Sequence, residues 1–279
     1  MHVNVINPLP QDFRLTPSTV VDGNLTPKVE HFGNIKITSY REPGHTTLAA
    51  GDFPPTSKVV IETGSENDQI RLRMGAGDQV LAEINGVTVP LDLDGDWRKG
   101  QIVIKTGPGN DKITVDNDVL TLIDIDTGEG DDTVKTGGGN AEVKLGEGDD
   151  SGELGVGDGF LHGEGGNDVL RGGSGGSSHI SGGAGSNTIR SATAGQTWVV
   201  AEGDRDVIHV NAPTTINTNA RSTHMHIDQN TPADIKIHQD AGNTETYIWG
   251  ATQAGDGDEN VTFTERDEPG KDSRYYLPL

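Results

Sequence analysis

The sequence predicts an all-β chain and, within that class, a β-solenoid with an irregular N-terminal cap. Three observations lead there. Short apolar runs recur along most of the chain, glycine-aspartate clusters separate them, and from about Gly107 to Asn187 those clusters return on a nine-residue beat. The clearest copies are Thr106-Gly107-Pro108-Gly109-Asn110-Asp111-Lys112-Ile113, Thr127-Gly128-Glu129-Gly130-Asp131-Asp132-Thr133-Val134 and Gly163-Glu164-Gly165-Gly166-Asn167-Asp168-Val169-Leu170. A repeat of fixed period stacks one supersecondary unit on the next, so it sets the architecture ahead of local propensity.

The elements follow in chain order. Residues 1–50 are punctuated by Pro8, Pro10, Pro17, Pro27 and Pro43, and the alternating run Ile35–Tyr40 is their one strand;. The segment is expected to cover the end of the stack, because a terminal repeat exposes an unpaired core. Residues 51–100 read as degenerate solenoid turns: Val59–Ile61, the turn Thr63–Asp68, Ile70–Leu72, then Gly75–Asp78. The strong array occupies residues 101–190, with Ile102–Ile104, Ile113–Val115 and the longer Leu120–Ile125 as strands. Residues 191–279 continue as a β-strand region with a C-terminal cap or tail, through Thr197–Val200, Val207–Val210, Thr223–Asp228, Asp234–His238, Thr246–Trp249 and Val261–Thr264. No helical pattern of about ten residues is present.

Composition narrows the function classes. Only 31% of residues are hydrophobic, below the usual share for a globular domain, so the core is thin;. A net charge of −22 makes the chain self-repelling and argues against nucleic acid and anionic membranes, which bind through Lys and Arg;. The absence of cysteine removes disulfides and thiolate zinc sites;. The N-terminus has neither a basic region nor an apolar run, and no stretch approaches the roughly 18 apolar residues of a membrane span. The expectation is a soluble protein that leaves the cell, where it does, without a cleaved leader.

The turns carry the chemistry. Glycine adopts positive φ without steric penalty and leaves carbonyl oxygens bare. Calcium takes six to eight oxygen ligands in flexible geometry, so loop carbonyls with one or two carboxylates suffice. In these copies the chain resembles the RTX, or hemolysin-type, calcium-binding repeat, Gly-Gly-x-Gly-x-Asp-x-(apolar)-x. The resemblance is strong over about 80 residues. It implies a parallel β-roll with two nonapeptides per turn, calcium between stacked loops, and leaderless secretion from a bacterium.

Register sharpens the site. The aspartate position falls on Asp132, Ala141, Asp150, Gly159, Asp168 and Ser177, so a carboxylate stands at alternate copies only. With 18 residues per turn, Asp132, Asp150 and Asp168 stack on one edge, and Asp111 joins them if the longer strand absorbs three residues. Candidate calcium ligands are therefore Asp111, Asp132, Asp150 and Asp168, with carbonyls of Gly128, Gly130, Gly146, Gly148, Gly163 and Gly166. Asp68 and Asp206 are weaker candidates, more readily read, like Asp78, as turns without metal. Two to four ions are expected. Asn187 replaces the carboxylate and suggests an end-turn, and Gly152 stands where an apolar residue is due, leaving the core thin there.

Other constellations are weaker. His224, His226 and Asp228 share a strand face, which reads more simply as polar surface. Gly255–Asn260 reads as a solvated acidic turn, and Asp92–Asp96 lacks the terminal Glu of an EF-hand loop. There is no HExxH, no GxSxG and no cysteine nucleophile. The sequence leaves three functions open: a non-enzymatic calcium-binding solenoid, a calcium-dependent polysaccharide-active enzyme, and a host-directed effector or toxin accessory presenting a protein-binding face. Beyond calcium, the partners in view are a host or cell-surface protein or a polysaccharide.

Overall fold

Among the described residues the short apolar runs form strands, and the glycine-aspartate clusters form the corners or turns between them. The computed structural model describes the backbone of residues 27–42, 56–93, 98, 100–218 and 222–227, with isolated strands outside them, and side chains within 27–41, 57–93, 98, 100–218 and 223–224. Asp94–Asp96, Asp228 and the turn 255–260 lie outside the described residues. Among the described residues there is no α-helix, and none long and apolar enough to cross a membrane.

Two twelve-stranded sheets face each other, and the chain alternates between them, so every turn adds one parallel strand to each. The result is a parallel β-solenoid of about 6 turns. Its first rung is Gln101–Lys105 in the first sheet and Lys112–Val115 in the second. The second is Leu122–Asp126 and Thr133–Lys135, and the third Ala141–Glu147 and Ser151–Glu153. The fourth is Gly159–Gly165 and Val169–Arg171, the fifth Ser178–Ser181 and Thr188–Arg190, and the sixth Thr197–Ala201 and Arg205–Val210. Strands from Thr214–Thr218 to Arg274–Leu277 extend the same pairing.

Alternation along each strand sends every second side chain inward. In the first sheet Ile61, Ile104, Ile125, Val143, Leu161, Ile180, Val199 and Ile216 form one buried file. Facing them in the second sheet are Ile70, Ile113, Val134, Leu170, Ile189 and Ile208, each sitting two residues after its corner's last residue. Full burial of such a side chain contributes about 1.5–3 kcal/mol, and the first sheet adds a second buried file at Val59, Ile102, Ile123 and Ala141. Gly152 interrupts the file of the second sheet, but the gap is filled from across: a Cβ there would lie 2.6 Å from Leu161 Cδ1 and 3.1 Å from Leu145 Cδ1. Leu145 and Leu161 thus supply the packing that the sequence seemed to lack at this rung.

The N-terminal segment covers the stack with antiparallel strands. Lys28–Phe32 pairs with Ile35–Glu42, which pairs with Thr56–Glu62, the strand beneath the first rung. On the second sheet Gln69–Met74, which pairs in parallel with Lys112–Val115 as a solenoid strand, turns back into the hairpin Val80–Ile84 and Val87–Pro90, so residues 75–90 form an antiparallel insertion and not solenoid repeats. Asn85 and Gly86, at φ 50° and 81°, make the tip of that hairpin. Outward on the first sheet, the rings of Phe160, His179 and Trp198 stack at centroid distances of 4.6 and 4.4 Å.

Candidate metal centre

The corner that leads from the first sheet to the second is six residues long: Thr63–Asp68, Thr106–Asp111, Thr127–Asp132, Leu145–Asp150, Gly163–Asp168, Gly182–Asn187 and Ala201–Asp206. Backbone pairing puts these corners in register through steps of 21, 18, 18, 19 and 19 residues after the first. Asp132, Asp150 and Asp168 therefore stack on one edge, as the 18-residue turn predicts, and Asp111 joins them. Asp68 and Asp206 belong to the same column, whereas Asp78 sits apart at the tip of an antiparallel hairpin. On the opposite edge Ala141 pairs with Gly159 and Gly159 with Ser178, not Ser177, because the corner at 172–177 holds one extra residue.

The glycines form the corner's bends. Gly128, Gly130, Gly146, Gly148 and Gly166 all have left-handed φ, between 97° and 143°. Gly163 does not; its missing side chain instead leaves room for the carboxylate of Asp168 and the Gly182 carbonyl, which border the space a Cβ would fill. One corner breaks the pattern. Where Gly128 and Gly146 stand in neighbouring rungs, the fourth rung has Glu164 at φ 71°. An L-residue in this region costs about 1–2 kcal/mol, and glycine's greater chain entropy returns part of that. Glu164→Gly is expected to stabilise the protein by roughly 0.5–1 kcal/mol in urea unfolding; a lower midpoint would mean that the Glu164 side chain makes a stronger contact than its strain.

At the end of each corner the aspartates build a ladder. The backbone N–H of Asp68 donates to Asp111 Oδ1 at 2.7 Å, that of Asp111 to Asp132 Oδ1 at 2.6 Å, that of Asp132 to Asp150 Oδ1 at 2.6 Å and that of Asp150 to Asp168 Oδ1 at 2.9 Å. Asn187 is a working rung of this ladder rather than its end: its Oδ1 accepts from Asp168 N–H, and its own N–H donates to Asp206 Oδ1, both at 2.9 Å. At the N-terminal end no earlier rung stands among the described residues, and the Asn85 amide nitrogen donates to Asp68 Oδ1 at 2.6 Å. Asn85 was not foreseen as part of the site. Beside this buried ladder runs an exposed one of opposite polarity, in which Asn67, Asn110, Asp131, Asp149 and Asn167 accept from the N–H of the following rung.

One oxygen of each buried carboxylate is satisfied and the other is not. Asp68, Asp111, Asp132, Asp150, Asp168 and Asp206 are at most 2% exposed, and the Oδ2 of every one lacks a hydrogen-bond partner. The Thr106 and Thr127 hydroxyls lie next to Asp111 and Asp132, but they donate to the carbonyls of Thr127 and Leu145. Burial therefore dominates the electrostatics and favours the neutral acid. It raises the pKa of Asp111 and Asp132, and pushes Asp168 up to about 6 and Asp150 and Asp206 to about 7, against the lowering effect of the donated N–H groups. Neighbouring carboxylates add to the rise, Asp168 and Asp132 acting on Asp150.

The donor set suits a hard cation. It consists of carboxylate Oδ2 atoms and corner carbonyls that approach the next rung's glycines; a Cβ on Gly128 would lie 2.7 Å from Gly107 O;. Among the described residues no group of three or more His, Asp or Glu side chains converges on one point, so a bound ion would take most of its ligands from the main chain. His224 stands 3.5 Å from the Arg205 guanidinium, a poor place for a second cation. The fold and the corner together define a class: a parallel β-solenoid with a buried carboxylate ladder along one edge. Compared with known proteins, the chain matches no family model, no curated protein and no solved structure.

Proposed function

We propose that the protein is a non-enzymatic calcium-binding solenoid whose rungs stiffen when calcium enters the ladder. One observation carries the reading: a file of buried carboxylates, each with an unpartnered Oδ2. A buried acceptor without a donor costs about 1–3 kcal/mol, and more when it is charged. A divalent cation between rungs relieves both the orphaned oxygen and the repulsion within the column. The RTX-like repeat and the charge of −22 support a bacterial protein that meets calcium outside the cell.

Binding to the folded state stabilises it by linkage, by about 2.7 kcal/mol per site at a hundredfold excess over Kd. Four gaps have a carboxylate on both sides, from the one between Asp68 and Asp111 to the one between Asp150 and Asp168. Isothermal calorimetry is expected to give about four ions, and saturating calcium to raise the melting midpoint by more than about 10 °C. An absence of heat together with an unmoved midpoint would sink the reading.

A further inference from the structure

The outer face of the second sheet carries charge of the opposite sign. Register places Lys135, Glu153, Arg171, Arg190 and His209 in one outward file, one residue per rung. Lys135 and Glu153 neutralise each other across 2.7 Å. Arg171 and Arg190, directly opposite one another in the fourth and fifth rungs, have no ion-pair partner among the described residues. Like charges facing each other across a strand pair destabilise a sheet. The chain holds 43 acidic side chains against 21 basic ones, yet among the described residues the one carboxylate in this file, Glu153 opposite Arg171, is ion-paired to Lys135 instead.

We propose that this file is the docking surface for a linear acidic polysaccharide. The guanidinium fork matches a carboxylate bidentately. Parallel strands stand about 4.8 Å apart, close to the length of one pyranose unit, so successive sugar carboxylates meet successive rungs. The neighbouring file, Val169, Thr188 and Val207, is uncharged and half-buried, so it offers partly apolar surface beside the arginines. Repulsion from the acidic corner is weak here. Four residues back along the strand from Arg171 and Arg190, about 13 Å, the exposed ladder holds the uncharged Asn167 and Ser186, and its carboxylates Asp131 and Asp149 belong to the rungs below;. A nucleic-acid duplex is wider and carries a charge every 1.7 Å or so, which would bring it against that corner. A second copy of the chain needs about 800 Å² per partner, far more than a strip two residues wide provides.

This surface lies on a different face from the ladder and does not rest on calcium binding. The test is binding to immobilised polygalacturonate at fixed calcium and ionic strength, with dextran as the neutral control. The wild type is expected to bind polygalacturonate and not dextran, and to weaken steeply as salt rises. Arg171→Gln/Arg190→Gln should lose tenfold or more in affinity, while Arg171→Lys/Arg190→Lys, which keeps the charge, should stay within about threefold. Matching melting curves establish that each variant is folded. Equal binding by the glutamine variant overturns the proposal. So does equally tight binding of duplex DNA, or a wild-type dimer that the glutamine variant dissolves while its glycan affinity is unchanged.

Discussion

Gly146→Ala is expected to break the solenoid at its third rung, with a loss of at least about 4 kcal/mol. Gly146 sits at φ 97°, and a Cβ there would overlap the carbonyl oxygen of Gly128 in the rung below. Backbone cannot yield as the end of a long side chain does, so the rungs must separate, and with them the hydrogen bond from Glu147 N–H to Gly128 O. The hairpin glycine Gly77 provides the comparison. Its φ is 71° but nothing lies within 4 Å of its would-be Cβ, so Gly77→Ala isolates the conformational cost, about 1–2 kcal/mol;. For a chain of this size the first substitution should lower the melting midpoint by more than about 10 °C and the second by a few degrees. Because each rung touches only its neighbours, the break is local. Hydrogen exchange should speed up at Val134 and Val143 and leave the cap strands protected. Equal midpoints for the two variants would remove close rung contact as the reason for these glycines.

How far the sequence reveals this arrangement depends on whether its spacing is regular. Asp132, Asp150 and Asp168 repeat at a constant 18 residues, and that period alone stacks them correctly. Asp68 is separated from Asp111 by 43 residues, because the capping hairpin is inserted between them, and an inserted element erases the count. The single extra residue in the corner 172–177 has a subtler effect: counting by nines points to Ser177, but pairing selects Ser178. Asn187 looks like the end of the array when a carboxylate is the criterion. The ladder needs only an acceptor at Oδ1, which an amide supplies equally well. The Asn85-Gly86 pair is a familiar hairpin-tip sequence, but nothing local indicates that the Asn85 amide closes a column that begins at Asp68;. Patterns of period two and of fixed repeat are written along the chain, while contacts across an insertion belong to the assembled rungs alone.

Asn187 also predicts what happens when a buried charge is removed. Asp150→Asn is expected to stabilise the calcium-free protein at pH 8 by about 2–4 kcal/mol. The Oδ1 acceptor for Asp132 N–H is kept, and a donor replaces the orphaned Oδ2, as Asn187 Nδ2 reaches the Gly183 carbonyl at 3.4 Å within its own corner. Burial raises the Asp150 pKa from 3.8 to about 7, and each unit is worth about 1.4 kcal/mol;. The sign follows from proton counts. Between about pH 4 and pH 7 the folded state holds a proton on Asp150 that the unfolded chain has released, so calcium-free stability falls as pH rises through that window and levels off above it. Asp168 and Asp206, with pKa values of about 6 and 7, act in the same direction. At pH 4, where Asp150 is protonated in the folded state and partly protonated in the unfolded chain, only a small part of the penalty remains and the advantage of the asparagine variant should largely vanish;. Calcium reverses the order at pH 8, since the wild type gains the binding energy of two adjacent gaps that the variant weakens. Urea unfolding at pH 4 and 8, in chelator and in calcium, reads all four conditions. An asparagine variant less stable than the wild type at pH 8 in chelator would mean that Asp150 is already neutralised within the fold, and the ladder would then have no charge for a cation to meet.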